Sequence, residues 1–212
     1  MQKGVYEYGM WSIAIFMILF FTAFVVSFFK PTKKREWRSL GIFEAFIVAL
    51  YAEMYGFPLT VYILSTFFGV KVSFLHIKGH LWASLFNLSD KWAMVICQFG
   101  SLLMFTGLII MGIGWRKIYK GEGGLVTDSL YRYIRHPQYL GLILVTTGML
   151  IQWPTILTII MWPVLLFAYR HLAKKEEREL EEKFGERYFE YKRETGMFFP
   201  NFKALAGQAE EL

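Results

Sequence analysis

A chain of 212 residues that is 55% hydrophobic and 19% aromatic, with a mean hydropathy of +0.37, is too apolar for an ordinary soluble domain and reads as an integral membrane protein. Its formal charge of +6 does not point to nucleic acid, because the cations fall in short clusters beside apolar runs, as the positive-inside rule and anionic headgroups require. The single cysteine, Cys97, excludes an intrachain disulfide and a cysteine metal cluster.

Met10 to Phe29 is an uninterrupted apolar and hydroxyl-bearing run, close to the ~20 residues a helix needs to cross a bilayer. It lacks a basic leader and a small-residue cleavage site, so it reads as a retained span. Lys30 to Arg38 then carries five cations, a cytoplasmic marker beside a span.

Leu40 to Phe68 is the second expected span, and it holds Glu44 near one end and Glu53 near its middle. A mid-membrane carboxylate is costly and needs a partner or a wet cavity, so Glu53 is a candidate substrate-binding residue or a paired structural one. Gly56 and Pro58 follow closely and should kink the helix. Gly69 to Lys91 is read as a mixed loop; His76 and His80 stand four apart, but no third ligand is evident and no metal is expected.

Trp92 to Gly114 is the third span, with Gly100, Gly107, Gly112 and Gly114 permitting close helix packing. Trp115 to Tyr133 turns polar, and Gly121, Gly123 and Gly124 argue against a sturdy helix interior there. Leu125 to Tyr139, LVTDSLYRYIRHPQY, then joins this segment to the next apolar run. Proline fixes its own φ, lacks an N–H and disfavours the α region for its predecessor. His136 is therefore expected to be extended and Pro137 to open a helix, with His136 and Arg135 at an N-terminus suited to a carboxylate or phosphate. A basic membrane-entry anchor is the alternative.

Pro137 to Arg170 is longer than one span requires, and Trp153-Pro154 interrupts it, which predicts two antiparallel helices joined at Gln152 to Thr155. The cations number five in Lys30 to Arg38, five in Trp115 to Arg135, nine from Arg170 onward and four elsewhere. With five crossings the rich regions share one side, so the N-terminus is expected outside and the C-terminus in the cytoplasm. Beyond Leu172 the chain is highly charged, LAKKEERELEEKFGERYFEYKRETGMFFP, with acids and bases at helical spacing and a stop at Gly185.

LVTDSLYRYIRHPQY, a broken apolar hairpin and KKEERELEEKFGERYFEYKRETGMFFP together resemble the isoprenylcysteine carboxyl methyltransferase family, whose wider relatives include phospholipid N-methyltransferases. The similarity covers roughly residues 95 to 200 and consists of RHP-x-Y, the pair Glu176-Glu177, FG-x-x-Y-x-x-Y and a final FFP in that order. The family pattern has glycine where this chain has Ser129, a departure that bears on local loop geometry.

The resemblance implies an all-α integral membrane enzyme of about five transmembrane helices, ending in a cytoplasmic helical segment, that uses S-adenosylmethionine. It implies that Leu125, Val126, Tyr131, Arg135, His136, Pro137, Tyr139, Glu176 and Glu177 line the cofactor pocket. Methyl transfer is an in-line displacement at an activated carbon, so alignment and water exclusion supply the rate, and no metal is needed. Glu177 and Arg170 are the catalytic candidates. Arg170, leaving an apolar run near the glutamate pair, could orient an anionic acceptor or simply anchor the helix. Residues 1–91 are expected to select the acceptor and 92–212 to form the methyltransferase core. The partners expected are a lipophilic acceptor (a prenylcysteine carboxylate, a phospholipid, an amine or a thiol) and membrane lipids, but no nucleic acid. A transporter or scaffold using Glu53 for ion coupling is the reading from another class.

Overall fold

The computed structural model describes residues 9–31, 33–70, 81–121 and 123–201. Its named elements are all helical: α1 (Trp11–Phe28), α2 (Lys34–Tyr51), α3 (Leu59–Phe68), α4 (Leu81–Phe86), α5 (Asp90–Lys120), α6 (Pro137–Gln152), α7 (Ile156–Phe184) and α8 (Glu186–Glu194). A π turn, Ala52–Gly56, follows α2, and a 3₁₀ turn, Ser129–Arg132, precedes α6. Three segments are long and apolar enough to cross a membrane, Lys34–Gly56, Asp90–Lys120 and Ile156–Phe184, and Trp11–Ser27 and Leu59–Phe68 are shorter apolar helices. The chain is an all-α membrane protein.

It divides into two compact units, Met1–Phe105 with Val145–Leu165, and Thr106–Leu144 with Leu166–Leu212. The chain passes between them within α5, α6 and α7.

In the first unit, α1 and α2 are joined by Thr22, whose hydroxyl donates to the Glu44 carboxylate at 2.5 Å. Phe43, Phe46, Ile47 and Leu50 form the buried stripe of α2 at the three- and four-residue spacing of an amphipathic helix. The expected span from Leu40 to Phe68 proves to be two helices with the π turn between them. Pro58 cannot donate a backbone hydrogen bond, and at Gly56 a Cβ would lie 2.5 Å from the Trp11 ring. Short polar bonds also hold the later helices of this unit: Trp82 Nε1 donates to the Ile151 carbonyl at 2.9 Å, and Gln152 Nε2 donates to Ser101 Oγ at 2.6 Å. Gly148 lets α5 come close, since a Cβ there would meet the Gly100 carbonyl oxygen at 2.5 Å.

The break at Trp153-Pro154 is where the sequence places it. Thr155 caps α7: its hydroxyl accepts from the Thr158 amide at 3.1 Å, while Thr158 Oγ1 accepts from the Thr155 amide at 3.1 Å. Two otherwise unsatisfied donors at the helix start are thereby paired.

In the second unit, α5 continues to Lys120, so Trp115 to Lys120 are helical and the expected polar loop begins only at the glycines. Trp115 is 2% exposed, and its burial outweighs the weak local propensity. Gly141 again serves close packing, a Cβ there meeting the Gly107 carbonyl oxygen at 2.7 Å. Gly185 separates α7 from α8 with φ +55, a conformation that suits glycine. In the expected loop Gly69 to Lys91, Leu81–Phe86 is helical; His76 and His80 lie outside the described residues.

Candidate functional site

The site lies in the second unit and is built from three pieces: the turn ending at Pro137, the charged half of α7, and the segment after α8. Pro137 is the first residue of α6, as its missing N–H and fixed φ favour. The chain before it is tied to a strap formed by the segment after α8. The Arg135 amide donates to the Gly196 carbonyl at 2.8 Å and the His136 amide to the Met197 carbonyl at 3.1 Å, beside a parallel bridge between Ile134 and Gly196.

His136 is 1% exposed and is bracketed by the glutamate pair. Its Nδ1 lies 3.5 Å from Glu176 Oε2 and its Nε2 3.4 Å from Glu177 Oε1. Neither ring nitrogen has a well-aligned hydrogen-bond partner. Tyr139 stacks obliquely on the imidazole with centroids 5.7 Å apart, and Phe198 covers it edge-on at 6.3 Å. Burial opposes a charged imidazole, but the two carboxylates prevail and raise the His136 pKa above its ordinary 6.5.

Glu177 is the most heavily engaged acid here. Arg135 Nε donates to its Oε1 at 2.7 Å, and Lys192 Nζ lies 3.0 Å from its Oε2. Lys192 also pairs with Glu181 at 2.6 Å. Glu177 stands in the charged half of α7, past the apolar stretch. Burial pushes its carboxyl up, but the nearby His136, Arg135 and Lys192 outweigh that and bring its pKa from 4.5 down to about 2. Arg135 Nη1 donates further to the carbonyls of Lys192 and Thr195. Its fork is thus turned onto the protein's own C-terminal segment.

Tyr131 is buried and donates to the Gly114 carbonyl at 3.3 Å and to Gln138 Oε1 at 3.1 Å, while its own carbonyl accepts from Tyr191 Oη at 2.6 Å. Leu125 and Val126 line a cleft of about 320 Å³ together with Lys117, Lys120, Thr127 and Asp128, where Lys117 and Asp128 are paired. Ser129, standing where the family pattern has glycine, has φ +58. The glycine pattern therefore marks a left-handed position that serine occupies here at a cost.

The sequence-selected residues thus fall into three groups. Arg135, His136, Tyr139, Glu176 and Glu177 converge, with Pro137 and Tyr131 supporting them. Leu125 and Val126 share the cleft. Arg170 is exposed, off the buried stripe of Leu165, Tyr169, Ala173 and Glu177. Glu53 belongs to the first unit, where its Oε1 accepts from the Thr60 amide at 2.6 Å. Sequence reasoning missed Lys192, Thr195 and Tyr169, whose ring stacks on Tyr139 at 5.8 Å. Spacing carried no signal for Lys192, because it reaches Glu177 across a helix break.

The chain is thus an all-α membrane protein with a buried histidine held between two glutamates, where apolar helices give way to a charged one. Comparison with known proteins shows what it is similar to. The model of the isoprenylcysteine carboxyl methyltransferase (ICMT) family matches residues 92–182, a stretch that holds both the RHP element and the glutamate pair. Protein-S-isoprenylcysteine O-methyltransferase B of Arabidopsis thaliana is 30% identical over 127 residues, covering 57% of this chain and 60% of that protein. Enzyme A of the same plant is 28% identical over the same coverage. The protein-S-isoprenylcysteine O-methyltransferase of Dictyostelium discoideum is 27% identical over 138 residues, covering 61% of this chain and 58% of that protein. The chain therefore spans about 60% of the length of these curated relatives. No solved structure matches it. The family match ends at 182, so Lys192 and the strap that covers His136 lie beyond it.

Proposed function

We propose that this chain is a membrane methyltransferase that moves a methyl group from S-adenosylmethionine to a lipophilic acceptor, with a prenylcysteine-type carboxylate as the first candidate. The observation that carries the reading is the His136 ring set between Glu176 and Glu177, its nitrogens buried without aligned partners. Such a site gathers two acids and an imidazole in a place shielded from water. The donor set fits the cofactor: acids suit its ammonium and sulfonium, and protonated His136 at the start of α6 suits its carboxylate. The cofactor supplies an already activated methyl carbon. The protein's own work is to hold both partners in line, to keep Glu177 ionised through Arg135 and Lys192, and to exclude water behind Tyr139 and Phe198.

Residues 1–91 are proposed to select the acceptor, and the distribution of cations supports an outside N-terminus and a cytoplasmic C-terminus. Calorimetry with S-adenosylhomocysteine, followed by methyl-label transfer to prenylcysteines, phospholipids and lipophilic amines and thiols, tests the reading. Absence of saturable binding overturns it, and the labelled acceptor names the substrate class. His136→Ala is expected to weaken cofactor affinity about ten- to a hundredfold, the size of a lost charge-assisted contact, with the protein still inserted.

Arg170, exposed where α7 turns from apolar to charged, is proposed to orient an anionic acceptor from the bilayer side. Arg170→Lys keeps charge and anchoring but loses the planar fork. A fall in turnover of about tenfold, with cofactor affinity intact, is the expected result. Turnover equal to wild type reduces Arg170 to an anchor.

A further inference from the structure

Arg135 stands next to the histidine of the site, yet its fork points into the chain. Its side chain is 9% exposed, Nε is bonded to Glu177, and Nη1 bonds the Lys192 and Thr195 carbonyls. The backbone amides of Arg135 and His136 hold the Gly196 and Met197 carbonyls just beyond. One arginine thus ties both the acid beside His136 and the segment that covers it. We propose that Arg135 is a positioning residue: it clamps the strap Thr195–Phe199 over His136 and acts on methyl transfer through the strap and Glu177, without touching the methyl donor. The catalytic part of this inference rests on the methyltransferase reading; the clamp itself does not.

The strap offers a second, independent handle. Gly196 has no room for a side chain, because a Cβ there would lie 1.7 Å from the Phe199 carbonyl oxygen, a backbone atom. Gly196→Ala must therefore dislodge the strap while leaving Arg135 in place. Arg135→Lys does the reverse, since it keeps a cation near Glu177 but cannot bond an acid and two carbonyls from one planar group. Two changes that break one device are strongly non-additive, whereas changes at independent contacts add.

The test uses the full chain in detergent, comparing wild type, Arg135→Lys, Gly196→Ala and the double variant. Amide exchange at residues 134–137 and 195–199 reports the strap; S-adenosylhomocysteine affinity and, with an acceptor in hand, turnover report the site. Each single variant is expected to speed exchange in both segments by about tenfold or more and to cut turnover by a similar factor, about one charge-assisted hydrogen bond. The double variant is expected to be no worse than the poorer single one. Unchanged exchange in Arg135→Lys overturns the clamp whether or not any ligand binds. Additive losses in affinity with undisturbed exchange also overturn it, because they place Arg135 on the donor. A wild type that binds no S-adenosylhomocysteine but shows the exchange pattern defeats the methyltransferase reading and leaves the clamp standing.

Discussion

Glu177→Gln is expected to lower the stability of the second unit by about 3 kcal/mol and, on the methyltransferase reading proposed above, to abolish saturable S-adenosylhomocysteine binding. The size follows from what the carboxylate holds. Arg135 Nε sits at 2.7 Å, Lys192 at 3.0 Å and His136 Nε2 at 3.4 Å, around an acid side chain that is 4% exposed. Removing one member of a buried ionic group strands the others, and such losses run to about 3–5 kcal/mol. The lower end applies here, because the Lys192 side chain is 35% exposed and water can compensate it. Glu181→Gln is the control, as it removes a Lys192 partner without touching Arg135 or His136. Chemical unfolding in detergent that gives equal losses for both variants would remove Glu177 from the centre of the network.

The same contacts set a pH window. Glu177 has a folded pKa near 2 against an ordinary 4.5, so its contribution is complete above about 4.5 and fades as pH falls toward 2. His136 runs the other way: its pKa is raised from 6.5, so its contribution is complete below 6.5 and fades as pH rises through the folded value. Both are fully present between about 4.5 and 6.5, and stability should be greatest there. Glu177→Gln should flatten the acid side of that profile.

The helical class, the hairpin break and the meeting of RHP with the glutamate pair were legible because each rests on local rules or on ordered motifs. Pro137 opens α6 and Trp153-Pro154 interrupts the apolar run, although Pro163 is carried inside α7, and Gly185 marked a stop. The extent of α5 was not legible, since burial of Trp115 decides it and glycine spacing does not. Nor was the use of Arg135. A guanidinium at a helix start reads as an anion site, and only the fold shows Glu177 and two carbonyls already filling it. Lys192 and the strap were hidden for the same reason: their partners are distant in sequence and no periodicity links them.

Glu53→Ala is expected to cost about 2–4 kcal/mol and Glu53→Gln clearly less, because the carboxylate works as a helix cap placed inside an apolar segment. Helix α3 begins after Pro58, which provides no side-chain cap. Glu53 reaches across the π turn, and its Oε1 accepts from the Thr60 amide at 2.6 Å and from the Thr60 hydroxyl. That hydroxyl in turn accepts from the Ile156 amide at 2.7 Å, so one acid organises the start of α3 and a donor at the start of α7. A lost cap costs about 0.5–2 kcal/mol, and stranded buried donors add about 1–3 kcal/mol each, little relieved by water in hydrocarbon. Glutamine keeps an acceptor oxygen for Thr60, whereas alanine keeps none. Thermal unfolding in detergent checks the ordering, and equal melting of wild type and Glu53→Ala would end the capping account. Methyl-transfer assays on Glu53→Gln then separate the two roles open to this residue. A variant that melts like wild type but transfers poorly assigns Glu53 to the acceptor, through the Oε2 atom that is buried with no hydrogen-bond partner among the described residues. A variant that keeps full transfer leaves Glu53 as the cap that shapes the π turn.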